Sequence, residues 1–192
     1  MSIVFILASV CLIAFLILAT FDGVYLHLWR FELFSRKESR FEHLIHTIRA
    51  ILFPIILVLL FINTDQTSFS IGLTLVVVDL IVLGLDAYSE EDSRKFMGGL
   101  PKWEYILHLF ANSLHFATFL LIIATRLRIG EFGIKYSTTF ESNQYFEISQ
   151  RLAQLVIPGA VLLGLLHLVL NFELGTIVWN SFIKKKAAEK NS

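Results

Sequence analysis

The chain has 192 residues, 56% of them hydrophobic and 18 of them phenylalanine, with a mean hydropathy of +0.70; a soluble domain of this length is not so apolar. Its 16 basic residues balance 16 acidic ones, and no basic stripe interleaved with aromatics is present, which argues against a nucleic-acid partner. The single cysteine, Cys11, excludes an intramolecular disulfide and a thiolate-based zinc site.

These features predict an all-α, polytopic membrane helical bundle. One domain over 1–192 holds about five transmembrane helices, the first four arranged as two repeated hairpins. The hairpins are expected at 1–63 and 69–127, followed by an outer loop at 128–148 and a fifth helix with a cytoplasmic tail at 149–192. The first span, 3–29, begins with the almost wholly apolar run Ile3 to Thr20. It lacks a basic leading segment and an Ala-x-Ala site, so it reads as a retained helix and not as a signal peptide.

The second span is expected over 40–62 and the third over 69–89, joined by the short turn Thr64 to Ser68. Gly98-Gly99 and Pro101 then break one helix and start the fourth, 102–126. In the long connection that follows, Phe132, Ile134 and Tyr136 alternate with Gly133, Lys135 and Ser137, a pattern suited to a small strand or hairpin. The fifth span, 149–171, contains Pro158-Gly159, a kink signal. Trp179 followed by Lys184, Lys185 and Lys186 reads as an interfacial anchor.

Basic residues are unevenly distributed. Arg30, Arg36, Lys37, Arg40, Arg94, Lys95, Lys102, Lys184, Lys185, Lys186 and Lys190 fall on one side, and Arg126, Arg128, Lys135 and Arg151 on the other. The positive-inside rule then places the N-terminus outside and the C-terminus in the cytoplasm. The loop Arg and Lys residues read mainly as topology signals that also attract anionic membrane lipids.

The chemistry lies in a pattern written twice. Asp22 is followed by Arg40-Phe41-Glu42-x-x-x-His46, and Asp86 by Lys102-Trp103-Glu104-x-x-x-His108; Ser35-Arg36-Lys37 and Ser93-Arg94-Lys95 precede the two Glu–His units. Spacing of i, i+4 puts Glu and His on one helix face. At roughly 1.5 Å of rise per residue, all six side chains fall within about two turns of one depth near the cytoplasmic face. Asp22, Glu42, His46, Asp86, Glu104 and His108 are therefore expected to bind two divalent metal ions, iron first, then zinc or manganese.

Arg49 and Asp79 are expected about 10.5 Å deeper at that same rise, as an ion pair that Asn112 joins and that orients the ligands. His115, deeper still, and His167, back at the depth of the site, are additional ligand or proton-carrier candidates. His27 and His43 are placed at the interface.

The plan resembles the ferritin-like carboxylate di-iron proteins, which supply one carboxylate from each of two helices and Glu-x-x-His from each of two others. Here the spacing is Glu-x-x-x-His and the lone acids are Asp, so the likeness is one of plan and covers the first four spans. It implies a di-iron-type oxidoreductase acting on a lipid or other apolar substrate. Three alternatives compete: a b-type haem electron carrier with His46 and His108 as axial ligands, a metal-dependent membrane hydrolase, and a cation or proton transporter. Self-association as a homo-oligomer is compatible with such a surface.

Overall fold

The computed structural model describes residues 2–131, 133–137 and 144–190. It is almost wholly helical, and among the described residues five helices are long and apolar enough to cross a membrane. Helix α1 (Ser2–Thr20) continues as a wider helix with i→i+5 hydrogen bonds over Phe21–Arg30, closed by the Phe31 N–H on the Leu26 carbonyl at 2.8 Å. Two short 3₁₀ turns lead to α2 (Arg40–Leu57), which also widens, over Val58–Ile62. Helix α3 (Gln66–Ser93) starts where the Asp65 carboxylate accepts from the Ser68 N–H at 2.8 Å, satisfying one of the donors every helix N-terminus leaves open.

Gly98 and Gly99 have φ of +88° and +107°, a backbone region suited to glycine, and they turn the chain into α4 (Lys102–Arg126). The expected strand region is a hairpin of β1 (Leu127–Gly130) and antiparallel β2 (Gly133–Tyr136); Phe132 lies outside the described residues. Helices α5 (Gln144–Leu170) and α6 (Glu173–Lys190) complete the chain.

Three ends differ from the hydropathy expectation, the first being the start of α3 at Gln66, inside the expected turn Thr64 to Ser68. Helix α3 runs a turn past residue 89 because Glu90 and Ser93, polar and so read as loop, are buried inside the bundle. Helix α5 starts at Gln144, with Phe146 and Ser149 packed onto α1.

Packing separates the bundle into an apolar and a polar half. Helix α1 lies chiefly against α4, and α2 against α3 and α5. Phe5, Leu12, Ile56, Leu60, Phe119 and Ile122 fill the apolar end. Pro54 lacks the N–H that would bond the Ala50 carbonyl. Gly164 on α5 sits over that carbonyl, and a Cβ there would lie 3.0 Å from its oxygen. The absence of a side chain is what lets two backbones approach so closely, a usual device between helices in apolar surroundings.

At the same end Arg126, fully buried, donates to the carbonyls of Leu60 at 2.8 Å and Asn63 at 2.9 Å, which the end of α2 leaves without helical partners. Helix α6 folds back at the other end, where Trp179 packs on Phe34.

Candidate metal centre

Four helices deliver ionisable side chains to one buried place. Asp22 comes from α1, Glu42 and His46 from α2, Asp86 from α3, and Glu104 and His108 from α4; all but His46 are buried, and its side chain is 14% exposed. The contacts cross between the sequence halves. Asp22 Oδ1 is 3.0 Å from His108 Nε2, and Asp86 Oδ1 is 3.3 Å from His46 Nε2. Each contact joins the lone Asp of one Glu–His unit's hairpin to the His of the other.

At the centre stands Arg94, fully buried. Its Nη1 donates to Glu42 Oε2 at 2.6 Å and to Ser93 Oγ at 3.0 Å, and its Nε donates to Glu104 Oε1 at 2.8 Å. Nη2 contacts the same Glu104 oxygen and lies 3.2 Å from His27 Nε2. One guanidinium therefore holds one oxygen of each glutamate and leaves the other oxygen of each unused. The planar fork of arginine suits this double grip, which a lysine cannot reproduce.

His27 is the second residue the sequence undervalued. It is fully buried, with Nε2 3.3 Å from Asp22 Oδ1 and 3.7 Å from Glu42 Oε1. In an α-helix of 3.6 residues per turn, positions five apart point about 140° away from each other. The i→i+5 winding of Phe21–Arg30 brings Asp22 and His27 onto one face instead, and such windings concentrate at functional sites. Glu90, buried on the added turn of α3, places Oε1 3.0 Å from His108 Nδ1. The two ring nitrogens of His108 thus each face a buried carboxylate, Nδ1 that of Glu90 and Nε2 that of Asp22.

Among the described residues the ligand-type atoms fall into three overlapping triplets, each within 4.8 Å: Glu42, His46 and Asp86; His27, Glu104 and His108; and Asp22, His27 and His46. The first two share no residue. The third takes one histidine from each and adds Asp22 between them. His46 Nε2 lies 3.7 Å from Glu42 Oε1 and 3.3 Å from Asp86 Oδ1. Metal–ligand bonds of about 2.0–2.2 Å in a tetrahedral site set neighbouring ligand atoms about 3.3–3.6 Å apart.

Among the described residues no hydrogen-bond partner meets Glu42 Oε1, His46 Nε2, Asp86 Oδ1 or Glu104 Oε2. Buried polar atoms are normally satisfied. Of these, His46 Nε2 and Asp86 Oδ1 face each other at 3.3 Å, while Glu42 Oε1 and Glu104 Oε2 are open acceptors; carboxylate and imidazole atoms of this kind could hold iron, manganese or zinc.

One layer deeper, Arg49 lies 3.4 Å from Asp79 Oδ1 and 3.2 Å from Asp86 Oδ2, and donates to Asn112 Oδ1 at 2.8 Å. The structure thus brings together the Arg49, Asp79 and Asn112 that the sequence paired by depth, and ties them to the site through Asp86. His115 Nε2 is 2.6 Å from Asp79 Oδ2, enclosed by Phe15, Phe53 and Phe119. It belongs with Asp79 and not with the ligand triplets. His167 stacks on buried His43 and its carbonyl faces His43 Nε2 at 3.2 Å, outside the triplets as well.

Beside the site lies a cavity of about 500 Å³ between α1, α2, α4 and α5. Small residues create it: Ala19 and Gly23 on α1, Ala50 on α2, Ala111 on α4, Gly159 and Ala160 on α5. Asp22 and His46 line both the cavity and the ligand cluster. The chain matches no protein-family model, no curated protein and no solved structure.

Proposed function

We propose that the protein is an integral membrane oxidoreductase of di-iron type, whose first four helices hold two divalent metal ions near the cytoplasmic face and act on a lipid or other apolar substrate. The observation that carries this reading is the pair of separate carboxylate–imidazole triplets with Asp22 between them. One metal would be held by Glu42, His46 and Asp86, the other by His27, Glu104 and His108, with the Asp22 carboxylate placed to serve both. A pair of irons supplies the redox equivalents for oxygen chemistry that side chains alone lack.

The residues around the triplets each have a task under this reading. Arg94 orients Glu42 and Glu104 and offsets part of their charge. Glu90 sets the His108 ring, and Arg49 holds Asp86 from the far side. The apolar cavity at Asp22 and His46 keeps bulk water away from the reacting region and gives an apolar molecule a place to stand.

Haem between His46 and His108 fits less well. The His27 ring contacts both, with centroids 4.1 Å and 5.8 Å away, in the space a porphyrin needs. The distribution of Lys and Arg supports an outside N-terminus and a cytoplasmic C-terminus.

Elemental analysis of the detergent-purified full chain, beside His46→Ala, His108→Ala and the Glu42→Ala/Glu104→Ala double variant, tests the proposal. Stoichiometric metal in the parent that falls in all three variants is expected. Metal content untouched by the substitutions overturns it.

A further inference from the structure

The cavity has a shape and a lining that say more about its occupant than that it is apolar. Helices α1 and α5 are joined at one end, where Ser9 Oγ and Ser149 Oγ lie 2.9 Å apart, Ser149 reaches the Phe5 carbonyl at 3.2 Å, and Phe5 packs on Phe146, and at the other, where Leu28 on the wider continuation of α1 shares a buried cluster with Leu170. Between these two contacts both helices contribute cavity wall: Phe15, Leu16, Ala19 and Gly23 from one, Val156, Ala160 and Leu163 from the other. Leu155 and Gly159, also in the wall, are exposed on the outer surface of α5, and Leu155 is 80% exposed. The cavity therefore opens sideways, through the surface that five membrane-length helices turn towards lipid.

Its deep end is polar without carrying net positive charge. Arg49 there is matched by Asp79 and Asp86, and Asp22 adds a further carboxylate. An anionic head would meet these carboxylates, and a headless hydrocarbon would leave the polar groups without partners in an apolar setting, which is costly. Asn112 accepts from Arg49 through Oδ1, so its amide N–H groups are oriented away from that contact and remain available to an acceptor. His167, 98% buried, lines the same wall, with Nε2 3.8 Å from where a Cβ on the lining residue Gly23 would lie. These are the partners an uncharged oxygen requires. A volume of about 500 Å³ holds a single ring or chain and not a two-chain phospholipid with its headgroup.

We propose that this cavity is the substrate chamber, and that it takes a single-chain, uncharged amphiphile with a carbonyl or hydroxyl head, entering from the bilayer between α1 and α5 with the head towards Asn112 and His46. The assignment of the chamber as a substrate site rests on the metal reading above; the binding of such a molecule does not.

Photolabelling tests it. The full-length protein in detergent is irradiated with three probes that share one 16-carbon chain bearing a photoreactive diazirine and differ only in the head: a primary alcohol, a carboxylate and a trimethylammonium. Labelled peptides are mapped by mass spectrometry, and metal content is measured on the same samples. The alcohol is expected to label the walls at 15–24 and 155–163 in preference to both charged probes. Ala160→Phe, which fills the chamber, and Leu155→Trp, which narrows an exposed mouth without disturbing the core, are each expected to abolish that labelling while leaving metal content unchanged.

Labelling spread over the outer faces of all helices, equal labelling by the three heads, or labelling indifferent to both substitutions overturns the proposal. Specific labelling in protein that holds no metal overturns the metal reading and leaves the chamber standing.

Discussion

Replacing Arg94 by methionine isolates the group on which the buried cluster turns. The substitution keeps a long side chain but removes the cation that bonds Glu42 and Glu104 inside the protein, all three fully or almost fully buried. Removing one partner of a buried ion pair costs about 3–5 kcal/mol, because the remaining charge has neither water nor a counter-ion. At about 2–4 °C per kcal/mol for a chain of this length, the midpoint of thermal unfolding should fall by about 6–20 °C. The assay is thermal unfolding of detergent-purified, chelator-treated protein, so that metal occupancy does not enter.

Arg94→Lys should recover only part of the loss, since one ammonium cannot span two carboxylates and His27. The triple variant Arg94→Met/Glu42→Gln/Glu104→Gln should be more stable than Arg94→Met alone, because it removes the charges together. An unchanged midpoint in Arg94→Met, or a triple variant no better than the single one, would refute the reasoning.

Other consequences reach the rest of the fold. Gly164→Leu pushes a side chain against the Ala50 carbonyl and should cost about 1–3 kcal/mol by overpacking, read as a lower unfolding midpoint, whereas the same change at Gly84, where a Cβ meets nothing within 4 Å, should leave the midpoint in place. Arg126→Ala strands the carbonyls of Leu60 and Asn63 and should cost about 1–3 kcal/mol, again seen in thermal unfolding. The Ser68 hydroxyl and N–H hold the Asp65 carboxyl below its ordinary value of 3.8. A lowered value means that the cap stabilises fully above that pH and is lost as pH falls through the lowered value. The acid decline of the unfolding midpoint below pH 3.8 should accordingly be shallower in Asp65→Asn than in the parent.

Much of this arrangement is legible in the sequence, and the exceptions have physical causes. Spans two and four are bounded by Ser39-Arg40 and Pro101-Lys102, strong local start signals, and the structure begins both helices there. Glu42 with His46 and Glu104 with His108 follow from ordinary helical spacing. His27 was hidden because its neighbourhood with Asp22 depends on i→i+5 winding, which no periodicity of 3.6 reveals.

Arg94 was hidden for a different reason: loop arginines usually report topology, and only the turn after α3, completed by Gly98 and Gly99, folds this one inward. A charge argument would have found it. Four carboxylates expected in one apolar bundle demand cations, and the repeated Ser-Arg-Lys segments supply the nearest ones. Of that pair, Arg36 bonds the Phe31 carbonyl and lies over Phe96 instead, so the repeat is broken where a single guanidinium serves both halves.

The most direct test of the central claim is X-ray absorption at the edge of whichever metal the purified protein carries. Two metals held by histidine and carboxylate from four helices predict a shell of nitrogen and oxygen neighbours only, with imidazole scattering and a second metal at about 3.5–4 Å. A lone metal with no metal neighbour, or a spectrum unchanged in His46→Ala and His108→Ala, would contradict the account.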